Sequence, residues 1–250
     1  RLYGASLVGV AEVDEKWIYT HDRDDRPIDL GEGIDRCVVM AIEMDYDGLR
    51  RSPSLAAGIR TGVGYSRMAM AQACLGQFIR NLGYRAIACG NDTGMSVPLA
   101  VAAGLGEVGR NGILITREFG PRVRLCKVFT DLPLVPDRPI DIGVRRFCEV
   151  CKRCAEECPS RSIPRGEPTM EGPTESNADG VMKWRVNPET CYRYWIRNGA
   201  SCSNCIRVCP WNKPNDLLHR AVSYAVRTAP ILNRPIVVID KWLGFGQQRK

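Results

Sequence analysis

An α+β fold is predicted for this chain: a layered core of alternating strands and helices, with a cysteine-bearing segment set into it towards the C-terminal side. Three observations carry the expectation. The front half alternates β-branched apolar runs with segments of helical period. The back half holds two cysteine runs at fixed spacing, and helical period resumes after them.

Residues 2–13 and 37–44 have the apolar, β-branched character of buried strands. The clearest helix is predicted over 64–82, where Met68, Ala71, Leu75, Phe78 or Ile79, and Leu82 recur at three- and four-residue steps. Gly83 stands where such a helix stops, and Tyr65 falls at its N-terminal end. A short strand over 84–89 runs into Gly90-Asn91-Asp92-Thr93-Gly94. A second helix is expected over 96–105, with Pro98 tolerated in its first turn. Residues 113–116 and 122–129 are expected to pair as a hairpin around Phe119-Gly-Pro121. Past the cysteines, 216–229 reads as a helix and 235–239 as a last strand. The segments are then 1–145 (core), 146–215 (cysteine-bearing) and 216–250 (return to the core). Between the cysteine runs, 165–180 is rich in Gly, Pro, Ser, Thr and Glu and reads as a loop.

At 250 residues the chain can bury a full core. Its net charge of +7 is unclustered, and no basic stripe interleaved with aromatics appears, so nucleic acid is not an expected partner. No apolar run reaches the length of a membrane span. The opening Arg1-Leu-Tyr, without an initiator methionine or signal peptide, and the close over 244–250 read as a fragment or a processed core.

Eight of the twelve cysteines form the two runs. The first is Cys148-x2-Cys151-x2-Cys154-x3-Cys158-Pro159. The second is Cys191, then Cys202-x2-Cys205-x3-Cys209-Pro210. A C-x2-C-x2-C-x3-C-P run is the bacterial ferredoxin pattern, in which close thiolates grip one iron–sulfur cube and the last cysteine reaches the other. By that crossing, Cys148, Cys151, Cys154 and Cys209 hold one [4Fe–4S] cluster, and Cys158, Cys191, Cys202 and Cys205 hold the other. The second run departs from the pattern, because Cys191 lies eleven residues before Cys202. Zinc is the first rival, and a disulfide scaffold the second. Zinc sites seldom use this spacing, and disulfide scaffolds are shorter and denser in cysteine. Cys37, Cys74, Cys89 and Cys126 sit in apolar contexts and are read as small core-filling side chains.

Other motifs are weaker. Gly104-x-Gly106-x-x-Gly109 follows a predicted helix and precedes a strand, the reverse of a dinucleotide site, and is rejected as one. Asn91 and Asp92 sit at the carboxyl end of a strand, a common place for ligand-binding groups. Arg122 and Arg124 alternate with Val123 and Leu125, which puts both on one side of a strand. Read alone, Tyr65 is a core tyrosine, Asn91 a turn former and Arg124 a surface charge. His21 and His219 are the only histidines, and neither sits in a triad or metal-ligand pattern.

Taken in order, Gly64-Tyr65-Ser66, Gly90-Asn91-Asp92, Ala103-Gly-Leu-Gly-Glu-Val-Gly-Arg-Asn-Gly112, Gly120-Pro-Arg-Val-Arg124 and the two cysteine runs resemble the corrinoid-dependent reductive dehalogenases. The resemblance spans nearly the whole chain, most firmly 65–211. It implies a nitroreductase-like corrinoid-binding core joined to a ferredoxin-like two-cluster domain. It also implies reductive replacement of a carbon–halogen bond by carbon–hydrogen, at a cobalt with no histidine ligand from the protein. Carried over, Tyr65 is the proton donor, Arg124 the arginine that favours its phenolate, and Asn91 the asparagine beside it. An ordinary tyrosine pKa is about 10, and a guanidinium nearby favours the charged form. Implied partners are an organohalide, an electron-donor protein or quinol-linked system, a small membrane-anchor subunit and a second copy of the chain. The implied place is the outer face of the cytoplasmic membrane after twin-arginine export, or the cytoplasm for a non-respiratory member. Trp17, Tyr19, Phe119, Tyr192 and Trp195 are candidates for pocket walls. Two alternatives remain: an epoxyqueuosine-reductase-like enzyme acting on tRNA, and a two-cluster electron-transfer subunit without corrinoid.

Overall fold

In the computed structural model, residues 1–214 and 216–248 are described. Asn215, Arg249 and Lys250, which close two of the expected segments, lie outside the described residues. The strands in chain order are β1 (Leu7–Glu12), β2 (Arg36–Glu43), β3 (Ala86–Cys89), β4 (Glu107–Val108), β5 (Leu114–Ile115) and β6 (Val123–Thr130). The helices are α1 (Tyr46–Leu49), α2 (Leu55–Asn81), α3 (Ser96–Ala102), α4 (Val144–Cys151), α5 (Arg153–Glu156), α6 (Pro188–Asn198), α7 (Asn204–Arg207), α8 (Leu217–Thr228) and α9 (Asn233–Trp242). Among the described residues no helix is long and apolar enough to cross a membrane.

The chain divides into two compact units. The first comprises Arg1–Glu43, Val63–Gly106 and Val123–Ile140. Its centre is an antiparallel sheet in the order β1-β2-β6-β3. Cys37 through Ile42 are all buried, a run that a half-exposed strand would interrupt at every second residue; both faces of β2 are therefore covered. Met68, Ala71 and Ile79 of α2 pack on Met40, Ile42, Cys126 and Val128 of the sheet. Of the two residues offered for one helical step, Ile79 is buried and Phe78 is 47 % exposed. Leu82, expected on the same face, is exposed. The helix α3 packs on β1, β2 and β6. Gly9 of β1 permits that approach, since a Cβ there would lie 2.1 Å from the Ala103 carbonyl oxygen.

The second unit comprises Met44–Gly62, Glu107–Arg122 and Asp141–Lys250. Short helices dominate it. Met44, Leu49 and Ile206 form one buried cluster. A second anchor is ionic: the buried Asp240 of α9 pairs with Arg153 of α5 and with Lys213.

Four expectations require correction. Residues 113–116 and 122–129 form no hairpin, because β5 pairs with β4 and β6 pairs with β2 and β3. The expected last strand over 235–239 lies inside α9, where the Asp240 ion pairs hold a β-branched run in helical form. The long helix begins at Leu55, so Tyr65 sits in its interior and not at its N-terminal end. Gly58 and Gly62 in that first stretch each cost about 1 kcal/mol against alanine, which masks the helix in sequence. Cys74 is exposed, so it fills no core.

Candidate functional site

The first unit brings Tyr65, Asn91 and Arg124 together from three elements. Tyr65 projects from α2 and is 39 % exposed. Asn91 follows the end of β3, and its Nδ2 donates to the Tyr65 hydroxyl at 3.4 Å. Arg124, second residue of β6, donates from Nη1 to the same oxygen at 3.4 Å. Its guanidinium carbon also lies 4.7 Å from the centroid of the tyrosine ring, a cation–π placement. The phenol oxygen thus accepts from two donors, one of them charged. With both donors pointing at the oxygen, the O–H is left aimed away from them.

The loop carrying Asn91 is fixed from beneath. Lys127 of β6 is wholly buried and donates from Nζ to the Gly90 carbonyl at 2.8 Å, the Asp92 carbonyl at 3.0 Å and Ser96 Oγ at 3.2 Å. Burial lowers its pKa below the ordinary lysine range. Asp92 turns back on the loop, its Oδ1 accepting from the Gly90 N–H at 2.7 Å. Nothing in the sequence pointed to Lys127, which reads as one more residue of an apolar strand.

Arg122 lies just before the first residue of β6, so the alternation meant to place it beside Arg124 does not reach it. It is buried in the second unit, donating to the carbonyls of Met44, Phe119 and Lys213. The histidines take no part: His219 Nδ1 is held 2.6 Å from Asp216 at the start of α8, and His21 stands opposite Pro27 in an isolated bridge.

The second unit holds all eight cysteines of the two runs. Burial is the largest influence on each thiol whose pKa departs from the ordinary value. Burial raises Cys154 well up, with Cys209, Cys148, Cys205 and Cys151 adding to the effect. Cys209 is raised by burial and then by Cys148 and Cys151. Burial pushes Cys148 up to about 11 and Cys151 up to about 12. Cys205 is pushed up to about 12 by burial, and Cys202, Cys191 and Cys158 add to it. Cys191 is raised by burial and then by Cys158 and Cys202. Most of these mutual effects run within the sets that the crossing pattern proposes, and the effect of Cys205 on Cys154 runs across them.

Local backbone repeats within the runs. In Cys151-Lys152-Arg153-Cys154 the second residue is left-handed, with φ 51°; in Cys202-Ser203-Asn204-Cys205 it is again left-handed, with φ 56°. Each turn swings the following N–H back onto sulfur, so the Arg153 and Asn204 amides lower the raised pKa values of Cys151 and Cys202. The Trp211 amide does the same for Cys209. Such donors favour thiolate, the form that binds metal.

The donor set, eight cysteines in two runs, is the kind that holds iron–sulfur clusters. Among the described residues no three His, Cys, Asp or Glu side chains are gathered tightly enough to hold one metal ion. A cube takes one thiolate at each of its four irons and so spreads its ligands. Beside Cys148, Cys151, Cys154 and Cys209, one cavity is also lined by Arg110, Asn111 and Trp211. Arg110 Nη2, Asn111 Nδ2 and Trp211 Nε1 are buried donors with no protein acceptor. Sequence reasoning gave none of the three a role, although Arg110-Asn111 lies in the glycine-rich stretch that carries the family resemblance.

Fold and site together define a two-cluster iron–sulfur protein with an α+β core bearing an exposed tyrosine–asparagine–arginine group. A family model for a 4Fe-4S double cluster binding domain matches residues 147–212. The tetrachloroethene reductive dehalogenase of Desulfitobacterium hafniense is 40 % identical over 289 aligned residues, which cover 98 % of this chain and 52 % of that protein. A solved reductive dehalogenase, whose structure is described as suggesting a mechanism for B12-dependent dehalogenation, superposes with a TM-score of 0.90 at 28 % identity. That superposition covers 98 % of this chain and 35 % of the solved one. An epoxyqueuosine reductase from Bacillus subtilis shares the fold alone, with a TM-score of 0.55 at 18 % identity over 86 % of this chain and 64 % of that one. The chain belongs to the reductive dehalogenase family. It spans about half the length of the curated relatives it matches.

Proposed function

We propose that this chain is the catalytic core of a reductive dehalogenase, with an organohalide as substrate. The observation that carries the reading is the convergence of Asn91 Nδ2 and Arg124 Nη1 on the Tyr65 hydroxyl, in a chain that also groups eight cysteines. The reaction replaces a carbon–halogen bond by carbon–hydrogen. An electron pair enters, halide leaves, and a proton is taken up.

In this reading Tyr65 gives the proton to carbon as halide departs. Arg124 and Asn91 stabilise the phenolate left behind, a charge that develops during the step. Lys127 keeps Asn91 in place through the carbonyls on either side of it. Electrons arrive singly through two [4Fe–4S] clusters. Cys148, Cys151, Cys154 and Cys209 hold one, and Cys158, Cys191, Cys202 and Cys205 hold the other. A corrinoid supplies the cobalt redox chemistry when bound. The exposed face of Tyr65 leaves a side open to such a group, and neither histidine is among the residues that meet at Tyr65.

The same reading places an electron-donor protein or quinol-linked system and a small membrane anchor around the chain, with attachment to the outer face of the membrane. The test is anaerobic purification with iron, sulfide and corrinoid determination, followed by turnover of a chlorinated ethene with reduced viologen. Two cubes, bound corrinoid and halide release are expected. Cubes without corrinoid or turnover would leave an electron carrier and overturn the proposal.

A further inference from the structure

Three residues that line the cavity beside Cys148, Cys151, Cys154 and Cys209 each carry a buried donor with no protein acceptor. Arg110 is 1 % exposed. Its Nε donates to the Cys148 carbonyl at 3.1 Å, and its Nη1 donates to the carbonyls of Pro164 at 2.9 Å and Gly166 at 2.8 Å. The guanidinium is stacked over Trp184 at 4.4 Å, so its plane is set. With three donors committed and the ring fixed, Nη2 is left without a partner in the cavity wall. Asn111, 6 % exposed, presents Nδ2, while its oxygen accepts weakly from the Ile113 N–H at 3.5 Å. Trp211, 8 % exposed, presents Nε1, with its ring held edge-on to Phe147 at 5.9 Å.

A buried donor with no acceptor costs about 1–3 kcal/mol. Three such donors around one cavity are an expensive arrangement unless something in the cavity accepts from them. The sulfides of a cube are acceptors, and a cube held by four thiolates carries net negative charge. A buried guanidinium that bonds only carbonyls is suited to that charge as well.

We propose that Arg110, Asn111 and Trp211 donate to the sulfurs of the cluster held by Cys148, Cys151, Cys154 and Cys209, and set its reduction potential above that of a cube without them. Hydrogen bonds to cluster sulfur and nearby charge are established levers on potential, because they favour the more negative, reduced form. The proposal rests on the ligand sets given above. The three are positioning and tuning residues; none touches the substrate.

The experiment is an anaerobic redox titration followed by electron paramagnetic resonance, on protein carrying both clusters, comparing wild type with Trp211→Phe and Asn111→Leu. The phenyl ring keeps the contact with Phe147 and removes only the indole and its N–H. One midpoint potential is expected to fall while the other stays fixed, at unchanged iron content. Each lost charge-assisted donor changes the ratio of reduced to oxidised cluster roughly tenfold at a given potential. Full iron with both midpoints unmoved in both variants overturns the donor role and leaves the ligand sets standing. Protein that takes up no cluster overturns the ligand sets themselves. If a variant loses iron, wild-type protein carrying 15N in its tryptophan indoles settles the matter: coupling of an indole 15N–H to one reduced cluster supports the proposal, and its absence sinks it.

Discussion

The guanidinium carbon of Arg124 lies over the ring of Tyr65, 4.7 Å from its centroid, and Nη1 also donates to the hydroxyl oxygen. One side chain therefore both stacks on the phenol and bonds its oxygen. Tyr65→Phe keeps the stacking and removes the proton, and kcat is expected to fall roughly 10²- to 10⁴-fold with cluster content intact. Lysine cannot stack and donate together, so Arg124→Lys is expected to lower kcat less than Tyr65→Phe does. Steady-state dehalogenation with viologen measures both; unchanged turnover in Tyr65→Phe removes the tyrosine from the mechanism.

Cys191 is the outlying member of its group, reached from α6 and not from a turn. Cys191→Ser is expected to release one cluster and keep the other, so bound iron falls by about half. Iron and acid-labile sulfide assays read this directly. Full iron content would exclude Cys191 as a ligand.

Asp240 faces two cations in a dry setting, Arg153 and Lys213, and burial lowers the Lys213 pKa. Asp240→Asn strips the partner from both. Removing one member of a buried ion network costs about 3–5 kcal/mol. Thermal unfolding of the anaerobic protein should show a correspondingly lower Tm, with α9 the first segment to exchange amide hydrogen.

Four cysteines stand apart from the two groups, and their environments differ. Cys74 is exposed, whereas Cys37, Cys89 and Cys126 are buried, and burial pushes Cys126 up to about 12. Alkylation depends on the thiolate and on access. Iodoacetamide at pH 8 should label Cys74 in the folded, cluster-bearing protein and leave the other three untouched until it unfolds; peptide mapping distinguishes the outcomes.

What could be read in the sequence was what is local. The cysteine runs declare themselves because their spacing sets short turns, and both turns adopt the same left-handed residue. The core face of α2 was legible from Met68 to Ile79, where the period is regular. Its first turns were not, because Gly58 and Gly62 weaken helical preference and only the packed structure restores it. The run Ile236-Val-Val-Ile239 reads as strand by side-chain type, yet it is helical and leads directly into Asp240, held by residues far away in sequence. The same limit applies to the site. Tyr65 meets its donors across 26 and 59 residues, distances that no local pattern reports. Residue chemistry alone left all three as bland, and only the family resemblance joined them.

The proposed crossing of the cysteine ligands between the two runs has a consequence for biosynthesis. Cys148, Cys151 and Cys154 lie early in the segment, whereas Cys209, their proposed partner on one cube, follows α6 and α7. On the proposed ligand sets, a nascent chain cannot close its first cube until the second run has left the ribosome, and Cys158 must wait in the same way for Cys191, Cys202 and Cys205. Both cubes are then inserted after synthesis of this whole segment, into thiols already drawn together, and neither half of the motif can be matured alone.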